Sequence, residues 1–182
     1  MRTKGMTALV ASAGLLFASV VAHAEKTSGD TIDDSVIATS VKGELIGSKI
    51  VSGNEINVEV YKGHVQLAGF VESAEQKAEA IRIAERVEGT RKVHDRMVVM
   101  DEKRSMGETV DDQVIQTKLK SALIDEQGMG KGMDINTEVR KGEVLLSGFL
   151  PDGDYKNQAG EIAKGIEGVK KVHNNIDVKP EG

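Results

Sequence analysis

Two stretches of this chain are copies of one another. Thr31-Ile32-Asp33-Asp34-Ser35-Val36-Ile37 returns as Thr109-Val110-Asp111-Asp112-Gln113-Val114-Ile115. Ile56-Asn57-Val58-Glu59-Val60-Tyr61-Lys62-Gly63 returns as Ile135-Asn136-Thr137-Glu138-Val139-Arg140-Lys141-Gly142, and Val93-His94 as Val172-His173. The offset is 78 from Thr31 to Thr109 and 79 from Ile56 to Ile135, so one residue was inserted between. A unit of about seventy residues present twice fixes domain count, boundaries and core positions together. It also separates shared architecture from features that one copy has alone.

Residues 1–24 stand outside the duplication and read as a secretory signal. Arg2 and Lys4 give a positive start, an apolar run extends from Met6 to Val21, and Ala22-His23-Ala24 has the small-x-small form of a cleavage site. The run is too short and wrongly flanked for a permanent span; a retained anchor is the competing reading. Cleavage between Ala24 and Glu25 would release a chain into the periplasm. With no cysteine in the sequence, that chain must be held by its core alone. No second apolar run is long enough to cross a bilayer, so an integral membrane protein is not expected.

Cleavage would remove Arg2 and Lys4 and no acidic residue, taking the net charge from −5 to −7. So acidic a chain lacks the basic footprint of a general nucleic-acid binder. It gains no overall attraction to anionic lipid either, and membrane contact would need a local patch. Aromatic residues, 3% of the chain, leave few rings for stacking on bases or sugars.

Each copy reads helix, strand, strand, helix, strand. In the first helix, apolar residues recur at Val36, Ile37, Val41 and Leu45, matched by Val114, Ile115, Leu119 and Leu123; the spacing of four puts Ile37, Val41 and Leu45 on one stripe. Ile56, Val58 and Val60 alternate onto one face of a strand. Lys62-Gly63 then forms a two-residue turn, since Gly accepts positive φ, and the chain returns with Val65 and Leu67. This register sets Val60 opposite Val65 and Val58 opposite Leu67. In the second copy Arg140 and Glu143 flank the turn as an opposite-charge cross-strand pair, and Thr137 replaces Val58. The second helix carries Ala80, Ile83, Ala84 and Val87, or Ala159, Ile162, Ala163 and Ile166, in the pattern of a helix lying on a sheet. Ser73 with Gln76 fits a capping box, and Gly89 and Gly168 sit where a helix would stop. Gly160 and Gly165 would each cost the second copy's helix on the order of 1 kcal/mol relative to Ala.

The last strand alternates as Val93, Met97 and Val99, or Val172, Ile176 and Val178. The second strand, second helix and third strand form a right-handed β-α-β crossover with parallel strands. The expected class is α+β: two tandem α-β-β-α-β domains, each a small mixed three-stranded sheet with two helices on one face. The domains span 31–100 and 109–179, after an N-terminal segment 25–30, around an exposed linker 101–108 and before a tail 180–182.

Val65-Gln66-Leu67-Ala68-Gly69-Phe70-Val71 and Val144-Leu145-Leu146-Ser147-Gly148-Phe149-Leu150 carry a family resemblance. Each is followed by a helix ending in Val87-Glu88-Gly89 or Ile166-Glu167-Gly168, then a strand opening Val93-His94 or Val172-His173. The pattern resembles the BON domain over nearly the whole chain after the signal. Asp95 departs from it where the second copy keeps Asn174. The resemblance implies a non-enzymatic periplasmic envelope protein of osmotic or related stress. It would contact phospholipid membrane or partly folded envelope proteins and be chaperone-like. The alternative is a structural adaptor recognising one envelope protein.

No nucleophile, base and orienting group occur together, so no enzyme and no cofactor is expected. His64, His94 and His173 have no second His or Cys at ligand spacing, which argues against a metal. The doublets Asp33-Asp34 and Asp111-Asp112 sit where helices start, and capping accounts for them better than acid–base chemistry. Gly128-Met129-Gly130-Lys131-Gly132-Met133 has the composition of a phosphate loop but follows a helix and precedes a strand, the reverse of that motif. It reads as a flexible loop whose methionines form an adaptable contact surface.

The remaining candidate is basic. The topology brings the hairpin turn and the entry to the third strand to one end of each domain. Lys62 would lie near Arg91 and Lys92, and Lys141 near Lys170 and Lys171, as tips suited to lipid phosphates or an envelope partner. The Asp doublets come to the same end, so a balanced ion-pair cluster is the competing reading. Oligomeric state is not encoded in these patterns.

Overall fold

The first repeat is built as helix α1 (Asp34–Gly47), a single 3-10 turn (Gly53–Glu55), strands β1 (Asn57–Tyr61) and β2 (His64–Val71), helix α2 (Ala74–Arg86) and strand β3 (Lys92–Val99). The computed structural model describes residues 33–100, 106–125 and 135–180. The proposed cleavage site at Ala24 and Glu25, the segment 25–30, linker residues 101–105 and the Gly128–Met133 loop lie outside the described residues.

β1 and β2 are antiparallel in the expected register, with Val60 opposite Val65 and Val58 opposite Leu67. Lys62 and Gly63 turn the hairpin with φ of 50° and 77°, the doubly left-handed geometry of a tight hairpin. β3 lies parallel to β2 on its other side, giving the order β1-β2-β3. Ile37, Val41 and Leu45 of α1 and Ala80, Ile83 and Ala84 of α2 share one buried cluster with Val65, Leu67, Val71 and Met97. Both helices therefore cover the same sheet face. Val36 falls off the α1 stripe and is exposed, as is its counterpart Val114.

The second repeat follows as α3 (Met106–Asp125), β4 (Asn136–Arg140), β5 (Glu143–Ser147), β6 (Phe149–Leu150), α4 (Gly153–Lys164), β7 (Lys171–Asn174) and β8 (Asp177–Val178). Its sheet has the order β4-β5-β7, extended by a β6-β8 pair. The core again joins the helices to one sheet face, through Ile115, Leu119, Leu123, Val144, Leu146, Ala159, Ala163 and Ile176.

Three details differ from expectation. α3 begins at Met106, so residues 106–108 of the expected linker are helical and Asp111-Asp112 lie in the second turn rather than at the start. Met and Glu are good helix formers, which extends the helix past Gly107. Gly165 is the C-cap of α4, not an interior residue, so the interior penalty applies to Gly160 alone. A Cβ on Gly160 would meet Asn174 Nδ2 at 2.7 Å; the glycine makes room for Asn174, whose amide donates to the Lys156 carbonyl at 2.7 Å. In the first repeat that position is Asp95, which pairs with Lys77 of α2 at 3.0 Å. Finally, Arg140 and Glu143 are opposed in register but turn to other partners. Arg140 reaches Glu55 at 3.3 Å, and Glu143 binds His173 at 2.6 Å and Lys171 at 3.6 Å.

The sheet faces left open by the helices pack on each other, and the described residues of both repeats belong to one compact unit. Ala68 and Phe70 of β2 form a buried cluster with Leu145 of β5, flanked by Val98 and Met100. The aromatic contacts occur in equivalent pairs. Phe70 meets the His173 ring edge-on at 6.0 Å, and Phe149 meets His94 edge-on at 5.8 Å. Arg140 stacks over Phe70 and its counterpart Tyr61 packs on Phe149. The polar contacts are not symmetric. Arg96 binds Asp177 through Nε and Nη2, the shorter contact being 2.6 Å. Gln66, 1% exposed, accepts from the Gly148 amide at 2.6 Å and donates to Asp177 at 2.6 Å.

Candidate functional site

The basic tips are assembled by the hairpin turns. A tight turn leaves its two central N–H groups pointing away from the ladder, and each needs an acceptor. Asp34 supplies both: its carboxylate oxygens accept from Lys62 N at 2.6 Å and Gly63 N at 2.8 Å. Asp112 does the same for Lys141 N and Gly142 N, each at 2.8 Å. The two members of the first doublet thus differ in role. Asp33 is a helix cap that accepts from Ser35 N at 2.8 Å, and that amide holds its carboxyl below the usual range. Asp34 is a clamp on the hairpin, and only Asp112 repeats the clamp in the second copy. Reading both doublets as caps missed this role.

The crossover chain closes on the same turn. Arg91 N donates to Gly63 O and Lys170 N to Gly142 O, each at 2.8 Å. Gly63 and Gly142 lie against Arg91 Cγ and Lys170 Cδ, where an added Cβ would fall at 2.9 and 3.1 Å. In register, His64 faces Lys92 and Glu143 faces Lys171. The fold therefore gathers Lys62 with Arg91 and Lys92, and Lys141 with Lys170 and Lys171. Their charge balance differs by residue. Lys171 has Glu143 as a partner; burial opposes ionisation of Glu143, but the His173 hydrogen bond and the Lys171 charge hold its carboxyl below the usual range. Asp34 and Asp112 spend both oxygens on turn amides, so they act on the lysines mainly as nearby charges.

At the second tip the groups surround a cleft of about 400 Å³, where Val114 and Ile115 lie beside three lysines, Lys118, Lys141 and Lys170, and three carboxylates, Asp111, Asp112 and Glu167. Lys118 bridges to Glu167 at 3.1 Å; the first repeat has Ser40 at that position. Exposed apolar residues recur along the first helices, as Val36 and Ile46 on α1 and Val110, Val114 and Ile124 on α3. Apolar and cationic surface are adjacent at the cleft, where Val114 lies among the lysines.

The histidines sit between the repeats. His64 Nδ1 and His94 Nε2 are 3.1 Å apart, a proximity that sequence spacing did not reveal because parallel pairing of β2 with β3 creates it. His94 Nδ1 is 3.4 Å from Asp177. Burial holds the His94 imidazole below its usual pKa; Asp177 opposes this, while Lys92, Arg96 and His64 reinforce it. Among the described residues no group of three His, Cys, Asp or Glu could hold a metal ion.

A family model described as the BON domain matches residues 33–101 and 111–180. Osmotically-inducible protein Y of Escherichia coli (strain K12) is 32% identical over 152 residues, covering 83% of this chain and 75% of that protein. The outer membrane lipoprotein DolP of Haemophilus influenzae is 31% identical over 170 residues, covering 93% of this chain and 86% of its own.

Proposed function

The chain belongs to the BON domain family, and on that premise we propose that it is a non-enzymatic protein of the bacterial envelope that contacts phospholipid through its basic tips. One relative is named for osmotic induction and the other for the outer membrane. The first name supports a role in osmotic stress and the second a place in the envelope, while the signal-like residues 1–24 support export to the periplasm with cleavage between Ala24 and Glu25. Among the described residues no helix is long and apolar enough to cross a membrane, so lipid contact would be made from the surface.

The observation that carries the reading is the second tip, where Lys118, Lys141 and Lys170 surround a cleft beside exposed Val114. Cations suit lipid phosphates and the valine suits the acyl boundary. Asp111, Asp112 and Glu167 line the same cleft and balance the three lysines in number, so the reading rests on Lys141 and Lys170, whose ammonium groups reach the headgroups beyond the turn, rather than on a net positive patch. Sedimentation of the mature protein with phosphatidylglycerol vesicles tests it. Binding should fall with salt and be lost when Arg91, Lys92, Lys170 and Lys171 are all replaced by Gln. Unchanged binding by that variant would exclude the tips. Wild-type protein that ignores vesicles but suppresses aggregation of an unfolding outer-membrane protein would favour the chaperone-like reading. Capture of a single envelope protein by crosslinking in intact cells would favour the adaptor.

A further inference from the structure

The contact between the repeats has two layers with different symmetry. The aromatic layer is nearly two-fold: Phe70 on His173 is matched by Phe149 on His94, with equivalent residues on both sides. That layer alone would let either repeat pair with a copy of itself. The polar layer forbids it. Asp177, which holds Arg96 and Gln66, occupies the position of Val98 in the first repeat, and Arg96 occupies that of Asn175. Two first repeats face to face would leave each partly exposed guanidinium against a valine with no carboxylate. Two second repeats would set Asp177 against Asn175 with no cation. Each open sheet face is thus a binding surface specific for the other kind of repeat.

Nothing in that surface requires the complementary repeat to come from the same chain. Only residues 100–105 separate the end of β3 from the start of α3 in the sequence, and a short connection between complementary domains favours exchange. We propose that the open sheet faces are also an intermolecular interface. The partner is a second copy of this chain, the first repeat of each copy seating on the second repeat of the other in a closed reciprocal dimer. A closed pair satisfies every Arg96–Asp177 lock, whereas an open chain of copies would leave one at each end.

Complementary charge reversal in the full mature chain tests this. Arg96→Asp alone and Asp177→Arg alone each place like charges across the interface of a single molecule. Mixed and refolded together at about 100 μM, within the μM–mM range in which refolding chains meet one another, the two variants can restore opposite charges at both interfaces only by exchanging repeats. A one-to-one heterodimer by native mass spectrometry is expected, with neither variant forming that species alone. The double variant R96D/D177R has opposite charges within one molecule and between copies, as the wild type has, so it should fold, match the wild type's proportion of dimer and show that the reversed pair is tolerated. A mixture that stays monomeric, or homodimers of either single variant, would overturn the proposal. Should either variant fail to fold, Ala68→Cys and Leu145→Cys chains mixed and oxidised give a second reading. A disulfide-linked heterodimer supports exchange, and its absence refutes it.

Discussion

The carboxylate of Asp112 accepts both central amides of the second hairpin, each at 2.8 Å, and the residue is 4% exposed. Replacing it with Ala removes two charge-assisted hydrogen bonds, each contributing about 1.5–3 kcal/mol. It also leaves the Lys141 and Gly142 amides to the cleft alongside. Water can enter that cleft and partly solvate them, which places the expected loss near the lower bound, about 3 kcal/mol. With an m-value of about 1–3 kcal/mol/M in urea, the unfolding midpoint should fall by roughly 1–3 M. Asp112→Asn keeps one acceptor and turns a donor toward a donor, so it should recover less than half. Asp111→Ala, one residue away and exposed, should stay within about 0.5 kcal/mol. Circular dichroism across a urea titration of the mature protein measures all three. The clamp is wrong if Asp112→Ala unfolds at the wild-type midpoint, or if Asp111→Ala costs as much.

The His94 pKa is held below its usual value in the folded state, so the unfolded chain binds more protons just below about pH 6.5. Stability from this group is present above that pH and falls as the pH drops toward the folded pKa; thermal melts at pH 7.5 and 5.5 should show the loss, and His94→Gln should reduce it. Equal pH slopes for the two proteins would exclude His94 as the cause. Asp177 adds a separate acid limb: burial opposes its ionisation, but Arg96 and Gln66 lower its pKa overall. Its contribution is present above about pH 4 and lost as pH falls through the folded value, and Arg96→Gln should shrink that limb in an acid titration. Thr137 stands where the first repeat has Val58, and its Oγ1 is buried without a partner. Thr137→Val should therefore stabilise the protein by about 1 kcal/mol, seen as a higher melting temperature, and a lower one would show that the hydroxyl is satisfied.

Much of each domain was legible because the repeats carry the helix and strand periods openly. Ile37, Val41 and Leu45 at intervals of four gave a buried helical stripe, and Lys62-Gly63 between alternating valines gave a turn and, with it, a register. The tips were legible for the same reason, since topology alone brings Arg91 and Lys170 to the hairpins. The clamping role of Asp34 and Asp112 was not, because helix capping and hairpin binding both call for an oxygen at the same place. The packing of sheet on sheet was missed although a signal existed. Val65, Leu67 and Val71 point to the helices, but Ala68 and Phe70 on the other face are apolar too. A strand apolar on both faces is one that is covered on both. What no single-strand pattern carries is the pairing of Arg96 with Asp177, 81 residues away, which depends on how two finished sheets meet.

The central claim is that the two open sheet faces bury each other. The chain has no cysteine of its own, so one introduced thiol reports on one site. Ala68 is 1% exposed and lies in the contact, whereas Val36 is 53% exposed on the outer side of α1. Native-state labelling should find Ala68→Cys reacting at least about 100-fold more slowly than Val36→Cys, limited by opening of the interface. Comparable rates, in proteins whose circular dichroism and melting match the wild type, would show the faces open to solvent and contradict the account.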